Sequence, residues 1–446
     1  MTGNDDTIAA LATPGGTGAV ALIRLSGPGS WQVVEKACAK KLGAPRMAAV
    51  RTILDAEGRV IDQALVTPFR GPASYTGEDV VEVATHGGRL VTRRVLERLL
   101  DCGARPAGPG EFTERAFFHG KLDLTQAEAV MDLITAQSDL AIRAAHEQLE
   151  GRLGKRTEEL RDDMLGVVAQ VEAWIDFPEE DIDPETGAAL DSRLAGIGGK
   201  IRALLATADQ GRILREGLRT VICGLPNAGK SSLLNQLLGE ERAIVSGTAG
   251  TTRDTIEESL VVNGVPLRLI DTAGLRKAGD DIEEEGIRRT RREAGRADLL
   301  IVVADASLPA GEALPEEIPH APRVLHVLNK ADLGEHASWS GFDALRVSCT
   351  DGEGMEGLSA RIRELADLGE ADWGEQSVAI NARHRDCLRQ AEQALARGRE
   401  SLSDGMAAEM AALELREALN ALGEIAGRVD TEEILGEIFS RFCIGK

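Results

Sequence analysis

Residues 219–239 read RTVICGLPNAGKSSLLNQLLG, with Gly224 and Gly229 bracketing four residues and Lys230 and Ser231 following at once. A β-branched apolar run precedes this spacing and a leucine-rich run follows it, so it falls on a strand-to-helix turn. Glycines there let backbone N–H groups close around phosphate oxygens at a helix N-terminus that already favours anions. Lys230 is placed to reach β/γ oxygens, and the Ser231 hydroxyl to ligate Mg²⁺.

Two further segments follow in the order such a site needs. LRLIDTAG puts Asp271 at a strand end, followed by Thr272, Ala273 and Gly274, and LHVLNKAD puts Asn329, Lys330, Ala331 and Asp332 at another. The Asp332 carboxylate can accept from the N1–H and 2-amino group of guanine, whereas adenine has no 2-amino donor at that edge; GTP is thereby selected over ATP. RVSCTDGEG adds a base-contacting loop at Ser348, Cys349 and Thr350. The phosphate set is Asn227, Ala228, Gly229, Lys230, Ser231 and Ser232.

Between these lies IVSGTAGTTRDT, a Thr/Gly loop covering Ser246, Gly247, Thr248, Ala249, Gly250, Thr251 and Thr252, long enough to switch. Thr252 and Thr251 are equal candidates for Mg²⁺ on sequence grounds. Leu275 stands after DTAG, where Ras-type GTPases place the glutamine that orients water, so hydrolysis must be organised differently. Glu283, Glu284 and Glu285 each could orient water, although an acidic loop is by default a solvated one. Arg253 and Arg276 lie in the same loops, but spacing assigns neither as an arginine finger.

The elements that must position these residues form three textures. Residues 7–120 alternate short β-like runs (AVALIRLSG, QALVTPF, VVEVATHGG) with one clear amphipathic helix, RLVTRRVLERLLDCG, closed by Gly103. Residues 121–215 repeat apolar positions at i, i+3 and i+4 and read as helical. From 216 to 372 strand-like and helical stretches alternate, the pattern of a doubly wound, mostly parallel sheet. Residues 373–446 return to amphipathic helices whose natural partner face is the earlier helical block. The expected fold class is therefore multidomain: an α+β N-terminal domain, a discontinuous helical domain, and an inserted Ras-like P-loop domain.

A chain of 446 residues is long enough for about three cores. Its net charge of −22 repels phosphate backbones, so nucleic-acid contact requires a local basic patch or a basic partner. The first residues, MTGNDDTIAALATPGG, lack a cationic start and apolar run, and no apolar stretch approaches the ~20 residues of a membrane span. Six scattered cysteines, with no C-x-x-C pair, suit a reducing cytoplasm without structural metal.

The chain ends Phe442-Cys443-Ile444-Gly445-Lys446. As a prenylation box this fails, because Gly445 is not aliphatic and lysine is not a usual last residue. Periodicity alone reads it as a frayed tail.

GLPNAGKSSLLN, GTTRDT, DTAGLR, NKAD and FCIGK, with SYTGEDVVEV and PGEFTERAF upstream, together resemble the MnmE (TrmE) family of tRNA modification GTPases from end to end. The resemblance implies a tetrahydrofolate-binding and dimerisation domain at 1–120, helical domain parts at 121–215 and 373–446, and an inserted G domain at 216–372. It implies a potassium-stimulated GTPase, with K⁺ at Asn227, Ser246, Thr248 and Thr251, Mg²⁺ at Ser231 and Thr252, and Glu283 as the water-orienting carboxylate. Arg24, Glu82, Lys121 and Lys446 would bind 5-formyl- or 5,10-methylene-tetrahydrofolate, and Cys443 would act as nucleophile or thiol acid/base. The implied partners are a second copy of the chain, the flavoprotein MnmG in a heterotetramer, and tRNA, whose wobble uridine receives an aminomethyl or carboxymethylaminomethyl group at position 5. Cys349 stands where the family commonly has alanine. A pterin edge, like guanine's, wants a carboxylate, and a folate tail wants cations. Without the resemblance, Arg24 and Lys121 read as surface charges and Glu82 as a strand-edge residue.

Other features carry ordinary expectations. DFPEEDIDPE is a solvated connection rather than a calcium loop, His86 is structural, and RRTRREAGR is a solvated basic face. A rival reading, an Era-like regulatory GTPase that binds RNA or ribosome without one-carbon chemistry, leaves the terminal thiol unexplained.

Overall fold

The computed structural model describes residues 6–176, 185–240, 258–270, 295–315, 318, 320–367, 378–403, 408–428 and 432–445. The chain divides into two compact units, Met1–Met131 with Gly154–Asp162 and Leu419–Lys446, and Asp132–Leu153 with Asp163–Ala418.

The first unit is built on a six-stranded sheet of β1 (Ile8–Leu11), β2 (Val20–Ser26), β3 (Ala49–Leu54), β4 (Val60–Phe69), β5 (Val80–His86) and β6 (Arg105–Pro106), in the order β3-β4-β5-β2-β1-β6. All pairs are antiparallel except β1 with β6. Side chains alternate across it: Ile23, Leu25, Ile53, Ala64, Val66, Val81 and Val83 face a core covered by α1 (Ser30–Cys38) and α2 (Arg89–Asp101). The expected helix is α2, and Gly103 after it takes φ +119°. Helix α1 and the eight-residue α3 (Glu111–Phe118) were not expected, because neither reaches three turns of periodicity. Each starts after a glycine with no side-chain cap, so burial of Trp31 and Val34, or of Phe112 and Ala116, must hold it.

Helix α4 (Leu124–Thr135) begins the helical stretch, followed by α5 (Asp139–Leu149), α6 (Arg152–Asp176), α7 (Glu185–Ala206) and α8 (Ala208–Glu216). In the second unit these lead into β7 (Leu218–Cys223), α9 (Lys230–Glu240), β8 (Glu258–Val262), β9 (Val265–Leu269), β10 (Leu299–Asp305), α10 (Ala310–Ala313), β11 (Arg323–Asn329), β12 (Leu345–Arg346) and α11 (Met355–Leu365). The sheet order is β12-β11-β10-β7-β9-β8, parallel throughout except for β8 with β9. All seven residues of β10 are buried, as a central parallel strand covered on both faces requires. Strand order reverses at β7, and in open α/β sheets the crevice beyond the strand ends at that point receives the ligand.

Helices α12 (Ala382–Ser403), α13 (Ala408–Ile425) and α14 (Glu432–Ser440) complete the chain. Arg399 pairs with Asp191 and Arg416 with Glu172, so helices from both sides of the P-loop domain meet. In the first unit Leu435, Phe439 and Phe442 pack on Leu124, Ala127 and Phe117. Burying each such ring contributes roughly 1.5–3 kcal/mol. No helix among the described residues is long and apolar enough to cross a membrane.

Candidate functional site

Two sets of polar residues converge, one in each unit. In the second, β7 delivers the chain to Gly224 at φ +147°, where a Cβ would collide with the Val303 carbonyl of β10. Only glycine lets the turn lie that close to the neighbouring strand. Asn227 takes φ +61° and is exposed, and Gly229 at φ +94° leaves no room for a Cβ beside the Asn329 amide. Lys230 then opens α9, its Nζ donating to Gly224 O at 3.0 Å and Leu225 O at 2.8 Å. Ser231 and Ser232 follow in the first turn, exposed, at the positive end of the helix.

β11 brings Asn329 alongside this loop. Its Nδ2 donates to Ala228 O at 3.0 Å, and its Oδ1 accepts from the Cys349 N–H at 3.3 Å. One buried amide thus joins the phosphate loop to the loop of Ser348, Cys349 and Thr350. Ala331 N–H donates to Val347 O at 3.1 Å, which ties the Asn329–Asp332 turn to the segment leading into that second loop. Ser348 is buried, its backbone carbonyl accepts from Gly352 N–H, and Asp332 is exposed at the front of the turn. Burial, then the nearby Asp332 carboxylate, pushes the Cys349 thiol up to about 11, so it stays protonated and unreactive. Sequence reasoning did not find Asp305, whose carboxylate lies 2.6 Å from the Lys330 ammonium. Its partner lies just past the end of another strand, β11, so no local motif announces it.

In the first unit Arg24 and Glu82 occupy directly opposed positions of β2 and β5. Arg24 donates to Glu82 Oε1 from Nε at 3.1 Å and from a terminal nitrogen at 2.9 Å. The guanidinium lies 5.2 Å from the Tyr75 ring centre and 5.9 Å from that of Phe112, cation–π distances. Two readings are corrected here: Arg24, with a side chain 14% exposed, is not a surface charge, and Glu82 is on an interior strand between β4 and β2 rather than at an edge. Register produces the pairing, and the sequence between the two strands gives no sign of it. Lys121 is exposed and donates to Pro72 O at 3.1 Å. Tyr75 and Phe112 lacked any spacing signal.

The tail is seated. Ile444 bridges Pro109, and the Cys443 carbonyl accepts from Gly110 N–H at 3.4 Å. Gly445, at φ +97°, passes so close to the Leu11 carbonyl at the end of β1 that a Cβ there would clash. Cys443 itself is exposed. His86 is structural in a specific way: its Nδ1 meets Asp62 Oδ1 at 2.6 Å, and its N–H donates to Asp62 Oδ2 at 2.9 Å. Ser246 to Thr252, Asp271 to Gly274, Glu283 and Lys446 lie outside the described residues, as do residues 177–184 of the acidic connection and most of RRTRREAGR.

A glycine-cradled loop at the switch point of a Ras-like sheet, braced by an Asn-Lys-x-Asp turn, defines a P-loop nucleotide-binding protein. Two family models match the chain, GTP-binding protein TrmE N-terminus over residues 7–121 and MnmE helical domain over residues 124–443. It is 53% identical to the tRNA modification GTPase MnmE of Akkermansia muciniphila over 451 residues, covering 100% of both chains. The protein of that name from Syntrophotalea carbinolica is 45% identical over 454 residues, covering 99% of this chain and 100% of the relative. Among solved structures, the G domain of the T. maritima FeoB iron transporter matches at 26% identity and TM-score 0.23, covering 33% of this chain and 98% of that one. The chain belongs to the MnmE family.

Proposed function

We infer that this chain is a GTP hydrolase of tRNA wobble-uridine modification. It uses a one-carbon tetrahydrofolate and acts with the flavoprotein MnmG to install aminomethyl or carboxymethylaminomethyl at position 5 of the uridine. The observation that carries the reading is identity of 53% along the whole chain to a protein named tRNA modification GTPase. The division at 120, 215 and 372 into folate, helical and G domains belongs to the same proposal.

The described residues fit the groups that this chemistry needs. The Gly224 to Lys230 turn packs so closely on Val303 and Asn329 that neither glycine has room for a Cβ, and the Lys230 ammonium rests on carbonyls of the turn. Asn227 would contribute to K⁺ with Ser246, Thr248 and Thr251, and Ser231 with Thr252 to Mg²⁺. These cations supply positive charge to the phosphates where no arginine finger is assigned. Lys230 stabilises negative charge on the γ-phosphate, Asp332 reads guanine, and Glu283 orients the attacking water.

For the folate, Glu82 would accept from the pterin edge, and Arg24, Lys121 and Lys446 would supply the cations. Glu82 Oε1 takes both bonds from Arg24, and Oε2 would accept from the pterin donors. Cys443, exposed on the seated tail, would act as nucleophile or thiol acid/base, and a dimer in contact with MnmG in a cytoplasmic heterotetramer would bring in the tRNA.

Nucleoside analysis of tRNA from cells lacking the protein tests the whole reading. Loss of the 5-substituted wobble uridine is expected, and intact modification would overturn it. Titration with a reduced folate separates it from an Era-like regulator, which predicts no saturable binding. Arg24→Ala and Glu82→Ala should each abolish that binding. GTP turnover compared in K⁺ and Na⁺ salts tests the cation: equal rates would remove K⁺ from the proposal.

A further inference from the structure

The turn after β11 carries opposite charges two residues apart, Lys330 and Asp332. Lys330 adopts φ +64°, a left-handed conformation that a side chain other than glycine keeps only where its surroundings impose it. Its ammonium meets Asp305, the last residue of β10, which lies in parallel register with Asn329. Asp305 Oδ2 is 2.6 Å from the Lys330 ammonium, while Oδ1 accepts from the Ser307 N–H at 3.0 Å and the Ser307 hydroxyl at 2.7 Å. Ala306 N–H donates to Asn329 O at 2.8 Å, so the two strand ends are tied by backbone as well. Burial alone would raise the Asp305 carboxyl, but the bonds from Lys330 and Ser307 outweigh it and hold it below the usual carboxylate range. Both Asp305 oxygens are therefore bonded, and the cation nearest to Asp332 along the chain is bonded to Asp305.

We propose that Asp305 is a positioning residue for guanine selection, which by binding Lys330 fixes the left-handed turn and prevents the ammonium from collapsing onto Asp332. Asp332 then keeps both oxygens for the N1–H and 2-amino group of the base. The inference rests on the GTPase reading and deepens it, because Asp305 acts only through Lys330.

The test uses the full-length protein and two fluorescent nucleotides, GDP and inosine diphosphate, the second lacking only the 2-amino donor. Asp305→Asn keeps the shape and the acceptor for Ser307 but loses the charge-assisted bond. It should weaken GDP binding about tenfold and shrink the preference for GDP over inosine diphosphate. Lys330→Met removes the anchor of the turn and should also weaken GDP binding, but with no ammonium left to occupy Asp332 it should keep the preference for GDP, and the double variant should bind no worse than Lys330→Met alone, since both act in one path. Wild-type GDP affinity in Asp305→Asn, an unchanged preference in that variant despite lost affinity, or losses that add in the double variant would each overturn the proposal. If Asp305→Asn does not fold, Ser307→Ala removes one hydroxyl donor to Asp305 and should weaken GDP binding about two- to threefold with the same loss of preference. No effect there overturns the proposal too. Failure of the GTPase reading is distinct: the wild-type protein would then show no preference for GDP over ADP.

Discussion

Asn329 donates from Nδ2 to the carbonyl of Ala228, 101 residues earlier, at 3.0 Å. The same side chain, 2% exposed as a residue, accepts from the Cys349 N–H, so the phosphate loop and the base loop share one brace.

Asn329→Ala should therefore disturb two loops at once. It leaves the Ala228 carbonyl and the Cys349 N–H without their partner, a cost of about 1–3 kcal/mol for a buried polar group left unmade. GDP affinity should fall by at least tenfold, because phosphate and base loops would no longer hold a common geometry. Urea unfolding and GDP titration read the two effects; wild-type values in both would show that the brace does not matter.

Gly229→Ala should abolish nucleotide binding while the sheet still folds. The residue takes φ +94°, costing about 1–2 kcal/mol for any side chain, and the new methyl would strike the Asn329 amide. Gly239→Ala is the contrasting control, since a Cβ in that part of α9 meets nothing and should stabilise the helix by about 0.5–1 kcal/mol. Thermal melts with and without GDP distinguish the pair.

Gly445→Ala should unseat the tail. Its φ of +97° and its close approach to the Leu11 carbonyl exclude a Cβ. Amide exchange at Gly110, whose N–H is held by the Cys443 carbonyl, should accelerate while GTP turnover stays unchanged. Under the proposed function, tRNA modification falls together with the exchange protection, and Cys443→Ser loses modification without losing protection. Modification that survives in both variants would leave the tail a structural element.

Stability should depend on acid through Asp62. Burial would raise this carboxyl, but the His86 N–H, the His86 ring and the Gln63 N–H outweigh that and hold it below the usual range. A carboxyl lowered by folding contributes stability that is complete above its unfolded value, about 3.9, and is lost as pH falls through its lower folded value. Asp62→Asn should thus be less stable than wild type at neutral pH, with the gap closing below about pH 4. Urea midpoints measured between neutral and acid pH check this, and a constant gap would show that the charge is not what Asp62 contributes.

The parts of the site that are local can be read from the residues alone. Gly224, Gly229, Lys230 and Ser231 are legible because the strand, the turn and the helix start lie within one continuous stretch, and each residue type has one use there. The same holds for Asn329 to Asp332 at the end of β11, and for the alternation of elements that makes a doubly wound sheet. Tertiary structure decided what depends on register and close approach. Arg24 meets Glu82 because β2 and β5 pair at those positions. Asp305 meets Lys330 because β10 and β11 run parallel in register, and a shift of one residue would point either partner to the opposite face. The tail FCIGK showed a thiol and a lysine in the sequence, but its seat against Pro109, Gly110 and Leu11 is a matter of fit between segments more than 300 residues apart. Hydrophobic periodicity carries no record of such contacts, since each is made by two or three atoms rather than by a face.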